Sequence, residues 1–176
     1  MADKNQNNFA YIDGANLHKG NKSLGWKLNY KKFRVLLSEK YGVKTAYIFL
    51  GLIASYGALY KYLQESGFIL IFKQVVYDGE GKPKGNCDAN LVLRAVCDTY
   101  EKKYDKAVIV ASDGDYAELV DFIKQRNGLR IVISPSNKCS YLIRQQNIPL
   151  SYLDNQRSKL ELLTAKEKAP YKDETL

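Results

Sequence analysis

Short apolar runs alternate along the chain with segments in which apolar residues recur every three or four positions. The runs are rich in β-branched and aromatic residues, as in strands, and the recurring spacing is typical of amphipathic helices. The pattern predicts strands over residues 9–12, 45–50, 68–77, 107–111, 129–134 and 149–153. It predicts helices over 30–41, 55–65 and 140–146, and two more that begin at Asp88 and at Tyr116. Strands that alternate with helices form βαβ units, so the sequence predicts an α/β fold with a mainly parallel sheet.

The segments between these elements are polar. Residues 18–27 and 78–85 carry glycines, charges and amides, which predicts two loops. After Asp154 the chain is charged and only weakly amphipathic. We therefore expect one domain over residues 1–154, followed by a charged C-terminal helix or tail over residues 155–176.

Residues 107–122, with the sequence AVIVASDGDYAELVDF, join a buried strand to a helix through an acidic turn. In open α/β sheets, ligands bind beyond the carboxyl ends of the strands, so Asp113 and Asp115 are placed where chemistry occurs. Carboxylates this close repel each other, and a hard cation such as Mg²⁺ or Mn²⁺ relieves the repulsion. The alternative is that one of them caps the helix, since aspartate is a favoured N-cap residue, although a cap needs only one.

Two further aspartates are expected at the same edge of the sheet. Asp13 follows the first strand, and Asp88 opens the helix after the third. Because parallel strands end at one edge, we expect Asp13, Asp88, Asp113 and Asp115 to converge there and to bind one or two divalent ions. Such ions activate a water and neutralise charge in an in-line phosphoryl displacement. Asn16 is placed to orient a water or a phosphate oxygen, or else serves as a turn or cap residue.

The charge of the chain points to a polyanionic partner. Lys and Arg number 27 against 19 Asp and Glu, which gives a net charge of +8 and a pI of about 9.2. This excess favours nucleic acid, although the same charge also serves solubility. The candidate phosphate-contacting residues of the two polar loops are Lys19, Lys22, Lys27, Lys82 and Lys84. Tyr11, Trp26 and Tyr116 are candidates for stacking on bases, or else fill the core or the surface.

Several classes of protein are excluded by features that the sequence lacks. No run of about 20 apolar residues is present, so we expect no membrane span. The polar N-terminus has no apolar segment of the kind found in secretory signals, and the three cysteines have no C-x-x-C spacing. These features predict a cytoplasmic protein without a disulfide framework or a zinc site. His18 is the only histidine, so the chemistry is expected to rest on carboxylates.

Three motifs, in this order, resemble the NYN family, the LabA-like group of PIN-like domains. They are Y-I-D-G-A-N at residues 11–16, K-G-N-C-D at 84–88 and S-D-G-D-Y at 112–116, within a resemblance that runs from about Phe9 to Asp154. The resemblance implies a three-layer α/β/α PIN-like fold and an endoribonuclease-like hydrolase that depends on Mg²⁺ or Mn²⁺. Its partner would be RNA, single-stranded or structured, with no target fixed. It also implies active-site positions for Asp13, Asn16, Asp88, Asp113 and Asp115.

One position departs from the family pattern. Many members carry an acid six residues after the position of Asp88, where this chain has Arg94. A cation there can contact phosphate or weaken metal binding, so the sequence leaves open a catalytically weak or inactive RNA-binding module of the same fold. A homodimer is also left open. A dinucleotide-binding domain is excluded because no G-x-G-x-x-G follows the first strand.

Overall fold

The computed structural model describes residues 6–74, 76–77, 79, 83–84 and 87–162. Six of its strands form one sheet in which every neighbouring pair runs parallel. The strands found in the described ranges are β1 (Asn8–Asp13), β2 (Val43–Leu52), β3 (Ile69–Gln74), β4 (Val76–Tyr77), β5 (Pro83–Lys84), β6 (Ala107–Val110), β7 (Leu129–Ser134) and β8 (Leu150–Tyr152). The sheet order is β3-β2-β1-β6-β7-β8, and β4 pairs with β5 in a separate antiparallel ribbon. The predicted α/β fold with a parallel sheet is therefore confirmed.

Helices connect the strands. They are α1 (Gly14–Ser23), α2 (Tyr30–Tyr41), α3 (Gly57–Glu65), α4 (Asp88–Tyr100), α5 (Ala117–Gln125), α6 (Tyr141–Arg144) and α7 (Arg157–Leu160). Those from α2 to α6 lie where the hydrophobic spacing predicts them. Short 3₁₀ turns occupy Ala54–Tyr56, Gly114–Tyr116 and Leu153–Gln156. Gly42 ends α2 in the left-handed region, with φ of 68°, where glycine is the favoured residue.

The helices cover both faces of the sheet and give the domain two apolar layers. One layer packs residues of α1, α2, α3 and α7 against Ala10, Ile12, Val108 and Val110. The other packs α4, α5 and α6 against Tyr11, Phe49 and Ile109. Strand residues alternate between the two layers because successive side chains point to opposite faces. The result is the three-layer α/β/α arrangement, with β1 at the centre of the sheet.

The loop predicted over residues 18–27 is wrong in its first half, because α1 continues through Ser23. This helix begins directly after β1, where the Asp13 carboxylate accepts a hydrogen bond from the Asn16 backbone N–H. Within α1, only Gly14 and Leu17 are buried, so hydrophobic spacing gave almost no signal. A capped helix with one buried leucine cannot be detected from apolar periodicity.

Beyond Asp154 the chain stays attached to the domain as far as the structure describes it. Leu160, at the end of α7, is buried in the core, and its carbonyl accepts a hydrogen bond from the Asn29 backbone N–H. Leu28 and Glu161 form an isolated antiparallel bridge. The rest of the helix or tail predicted over residues 155–176, from residue 163 onward, lies outside the described residues. No described helix is both long and apolar enough to cross a membrane.

Candidate active site

Asp13 ends the central strand and starts the first helix. Its Oδ1 accepts the Asn16 backbone N–H at 2.9 Å, and the residue is only 8% exposed. Gly14 follows because a Cβ at this position would lie 2.9 Å from the carbonyl oxygen of Phe49 and closer still to the Leu50 side chain. The Asp-Gly sequence thus lets α1 start against β2 and leaves the Asp13 carboxylate at the carboxyl end of the sheet.

Asp88 lies at the same edge of the sheet as Asp13 but belongs to a different element. It is the first residue of α4, and its Oδ1 lies 2.5 Å from the hydroxyl of Tyr116. The same hydroxyl lies 2.9 Å from Oδ2 of Asp13. Two carboxylates from separate motifs therefore converge on one phenol, as expected from the common edge of parallel strands.

The electrostatics of the pair follow from its burial. Burial raises the pKa of Asp13, and the charge of Asp88 raises it further. Hydrogen bonds from Asn16 and from Tyr116 act in the opposite direction. Burial also raises the pKa of the Tyr116 phenol, as do the charges of the two aspartates, so Tyr116 is a neutral donor at physiological pH.

The thiol of Cys87, the residue before Asp88, is affected by both aspartates and by Lys73. Burial raises the pKa of the Cys87 thiol, and the charges of Asp13 and Asp88 act in the same direction. Lys73, near the end of β3, lowers it and therefore lies within electrostatic range of the same thiol. Cys87 is accordingly a neutral thiol beside the carboxylates, and Lys73 supplies a positive charge at this edge of the sheet.

Asn16 connects the first motif to the third. Its side-chain oxygen accepts hydrogen bonds from the backbone N–H and the hydroxyl of Ser112, at 2.9 and 3.0 Å. The alternative that Asn16 is itself a helix cap is wrong, because the cap of α1 is Asp13, which accepts the Asn16 backbone N–H. Its predicted part in catalysis stays a prediction.

No hydrogen bond is described between the Tyr116 hydroxyl and either Asp113 or Asp115, which have different contacts from Asp13 and Asp88. Asp113 is the N-cap of the Gly114–Tyr116 turn, and its Oδ1 accepts the Asp115 backbone N–H at 3.2 Å. Asp115 is exposed and lines an open groove of about 750 Å³ between α5 and α6, together with Glu118, Asp121 and Leu142. The cap alternative therefore holds for Asp113, and Asp115 lines the groove.

The expected cluster of four acids is not assembled in the described part of the chain, where no three His, Cys, Asp or Glu side chains form a group that could hold a metal ion. The reason is that Asp113 is used as a cap and Asp115 faces the groove. Asp13 and Asp88 alone still offer the oxygen donors that Mg²⁺ or Mn²⁺ prefers, and Mg²⁺ is commonly held by one or two carboxylates with waters and substrate phosphates. The pair therefore fits such an ion, while metal binding by Asp113 and Asp115 stays a prediction.

Arg94 is part of a buried network farther along α4. Its Nε donates to Oδ2 of Asp98 at 2.8 Å, and one Nη donates to the Tyr47 hydroxyl at 2.8 Å. The Tyr11 hydroxyl also donates to Asp98, which is fully buried, and the Lys103 ammonium lies 3.3 Å from its other oxygen. These contacts give Arg94 a structural role that the motif spacing did not predict.

The structure describes some of the lysines and aromatic residues that were predicted to contact nucleic acid, and their exposure differs. Lys19 and Lys22 are exposed on α1, one turn and more beyond Asn16. Lys82 lies outside the described residues, and Lys84 is described only as part of β5. The three stacking candidates are wrong, because Tyr11, Trp26 and Tyr116 are at most 5% exposed and belong to the core.

The contacts of Tyr116, Lys73 and Asp98 were not predicted from the sequence. Tyr116 directly follows the second aspartate of the third motif, and that adjacency was the available signal. Asp98 lies four residues after Arg94, a spacing at which a helix brings opposite charges together. Lys73 is contributed by a strand whose sequence carries no motif, so only the fold could place it.

The comparisons with known proteins agree with this architecture. The family model of the NYN domain matches residues 10–151. A crystal structure of VPA0982, a protein of unknown function from Vibrio parahaemolyticus, is similar with a TM-score of 0.71 at 19% identity, covering 91% of this chain and 99% of that chain. At this identity the likeness concerns the fold alone. Comparison with curated proteins gave no significant match.

Proposed function

The chain belongs to the NYN domain family, and on that premise we propose that it is an Mg²⁺- or Mn²⁺-dependent ribonuclease. The observation that carries the proposal is the convergence of Asp13 and Asp88 on the Tyr116 hydroxyl at the carboxyl end of the sheet. Ligands of open α/β sheets bind at this edge. The PIN-like nuclease fold of the family supports hydrolysis of a phosphodiester.

Asp13 and Asp88 would hold the ion through their carboxylate oxygens. When bound, such an ion activates a water and stabilises the charge that develops on the phosphate. Lys73, whose charge acts on the Cys87 thiol next to Asp88, would supply a positive charge for the phosphate backbone, and exposed Lys19 and Lys22 would extend the basic surface along α1. The net charge of +8 supports a polyanionic substrate.

A second candidate is an RNA-binding module of the same fold that does not cleave. It is favoured by the lack of a third carboxylate joined to the acid pair among the described residues. It is also favoured by Arg94, whose guanidinium is bound to Asp98 and Tyr47 at a position where many family members carry an acid.

The two candidates are separated by incubating labelled RNA with the full chain in Mn²⁺, in Mg²⁺ and in EDTA. The nuclease proposal expects metal-dependent cleavage that Asp13→Asn and Asp88→Asn abolish. Asparagine caps helices as well as aspartate does, so Asp13→Asn keeps the start of α1. The matched control is Glu39→Gln, which removes an exposed carboxylate on α2. RNA binding without cleavage would favour the second candidate, and cleavage that survives in EDTA or in both Asn variants would overturn the first.

A further inference from the structure

We propose that Tyr116 is a positioning residue of the metal site, whose hydroxyl holds the Asp13 and Asp88 carboxylates next to each other, where both can bind one divalent ion. The inference rests on the proposed function and adds a residue to it. Tyr116 itself would not touch the ion or the RNA, because its side chain is 0% exposed. It would act through the two carboxylates that its hydroxyl contacts.

The position of the Tyr116 hydroxyl is set by packing. Tyr116 is the last residue of the Gly114–Tyr116 turn, and its ring lies within the apolar layer that includes Leu91, Leu119 and Ile143. A phenol has two rotatable side-chain torsions and, when fully packed, little freedom in either. The hydroxyl is therefore a fixed point that both carboxylates contact, and its single proton is donated to one of them at a time.

The two carboxylates differ in burial. Asp13 is 8% exposed and also accepts the Asn16 backbone N–H, so it stays in place without the phenol. Asp88 begins α4 and is only partly buried. Like charges at short range repel each other. Without the hydroxyl, we expect this repulsion to widen the separation between the Asp13 and Asp88 carboxylates.

Removing the hydroxyl should therefore weaken metal binding. Groups that hydrogen-bond to metal ligands orient those ligands, and their loss typically lowers metal affinity or activity by about 10–100-fold. Tyr116→Phe keeps the ring that fills the core and deletes only the hydroxyl. The experiment titrates Mn²⁺ into the metal-free full chain and measures free Mn²⁺ by electron paramagnetic resonance, for wild type and variant.

The matched control is Tyr11→Phe. Tyr11 is also 0% exposed and its hydroxyl also donates to a buried aspartate, but that aspartate is Asp98. The inference expects the Mn²⁺ dissociation constant to rise about 10–100-fold in Tyr116→Phe and to stay at the wild-type value in Tyr11→Phe. A second readout is cleavage rate, which saturating Mn²⁺ should restore in Tyr116→Phe without a change in the KM for RNA.

The outcomes separate this inference from the function on which it rests. If wild type binds no Mn²⁺, the proposed nuclease and this inference both fail. If wild type binds Mn²⁺ and cleaves RNA, but Tyr116→Phe binds Mn²⁺ as tightly, only the role of Tyr116 is overturned. The same holds if both Phe variants lose affinity equally, because the effect would then come from a general loss of packing.

Discussion

The side-chain oxygen of Asn16 accepts two hydrogen bonds from Ser112, one from the backbone N–H at 2.9 Å and one from the hydroxyl at 3.0 Å. The two residues are 96 positions apart in sequence and belong to the first and third motifs. This contact ties the start of α1 to the turn that follows β6. It therefore holds the end of β1, which carries Asp13, against the acidic turn.

The first prediction concerns this contact. Asn16→Ala should lower the free energy of unfolding by about 1–3 kcal/mol, because it leaves the Ser112 N–H without its acceptor. Ser112→Ala removes only the hydroxyl bond and should cost about 0.5–1.5 kcal/mol. Urea unfolding of both variants measures the difference. Equal costs for the two variants would show that the backbone N–H finds another partner, such as water.

The second prediction concerns Arg94 and Asp98. Arg94→Ala removes the donor at 2.8 Å from a carboxylate that is fully buried. Breaking a buried ion pair typically costs about 3–5 kcal/mol. We expect about 2–3 kcal/mol here, because the Arg94 side chain is 39% exposed and Lys103 remains near the carboxylate. Thermal and urea unfolding measure the loss.

The control for Arg94 is another ion pair with the same spacing. Lys61 and Glu65 are also four residues apart on a helix, but their side chains are 77% and 63% exposed. Lys61→Ala should cost no more than about 0.5 kcal/mol, as exposed helical pairs do. If Arg94→Ala is as mild as Lys61→Ala, Asp98 is held by its other partners and the network does not depend on Arg94.

The pairing of Asp13 with Asp88 was predictable because it depends on topology. Once the strands are known to be parallel, residues that follow them must meet at one edge. The family motifs selected the same two residues independently. The sequence left the role of Asp113 open, because N-capping and metal ligation both favour aspartate after a strand.

The roles of α1 and Arg94 show where sequence patterns fail. Helix α1 is stabilised by a capping hydrogen bond and one buried leucine and lacks apolar periodicity, so its second half was predicted as a loop. For Arg94, a spacing of six residues from Asp88 indicated a shared helix face but not the partner. That partner, Tyr47, comes from β2, and only the packing of α4 on the sheet brings the two together.

The third prediction concerns alkaline pH. Burial raises the pKa of Tyr11, and the charge of Asp98 raises it further. In the unfolded chain the phenol ionises near pH 10, so its contribution to stability is present below that pH and is lost as pH rises further. Above pH 10, wild type should lose up to about 1.4 kcal/mol per pH unit more than Tyr11→Phe.

Urea unfolding between pH 8 and 11 measures these slopes. Tyr11→Phe also loses a hydrogen bond and is expected to be less stable at neutral pH. Phe33→Leu is therefore the control, since it perturbs a fully buried aromatic residue without removing an ionisable group. Its stability should fall with pH in parallel with wild type. Parallel curves for Tyr11→Phe as well would contradict the prediction.

The fourth prediction concerns RNA binding along α1. Replacing both Lys19 and Lys22 with Glu should weaken binding to single-stranded RNA. It should also make the affinity less dependent on salt. The slope of log affinity against log salt concentration should fall by about 1 for each phosphate that the variant no longer neutralises. The fold should be unaffected, because both side chains are exposed. Fluorescence anisotropy at several salt concentrations measures both quantities.

The charge-matched control for α1 lies at the opposite edge of the sheet. Lys40 precedes β2 and Lys102 precedes β6, and both are exposed. The double variant Lys40→Glu, Lys102→Glu has the same net charge but should bind RNA more tightly than the α1 variant. Equal losses in the two double variants would mean that net charge, and not the surface of α1, determines affinity.

The fifth prediction tests whether Asp113 is a cap or a metal ligand. Its Oδ1 accepts the Asp115 N–H, so Asp113→Ala should cost about 1 kcal/mol of stability, and Asp113→Asn should cost a few tenths at most. Asp115→Ala, which removes an exposed carboxylate from the same turn, should change stability by no more than about 0.5 kcal/mol. Urea unfolding of the metal-free protein measures these values.

Melting curves in Mn²⁺ then decide the metal question. A ligand that binds only the folded state stabilises it, by about 2.7 kcal/mol when present at 100 times its dissociation constant. Wild type should therefore melt at a higher temperature in Mn²⁺, and Asp13→Asn or Asp88→Asn should lose that rise. If Asp113 is only a cap, Asp113→Asn keeps the full Mn²⁺ shift. If Asp113→Asn loses the shift while its metal-free stability is unchanged, the Asp113 carboxylate must leave its cap to complete the metal site.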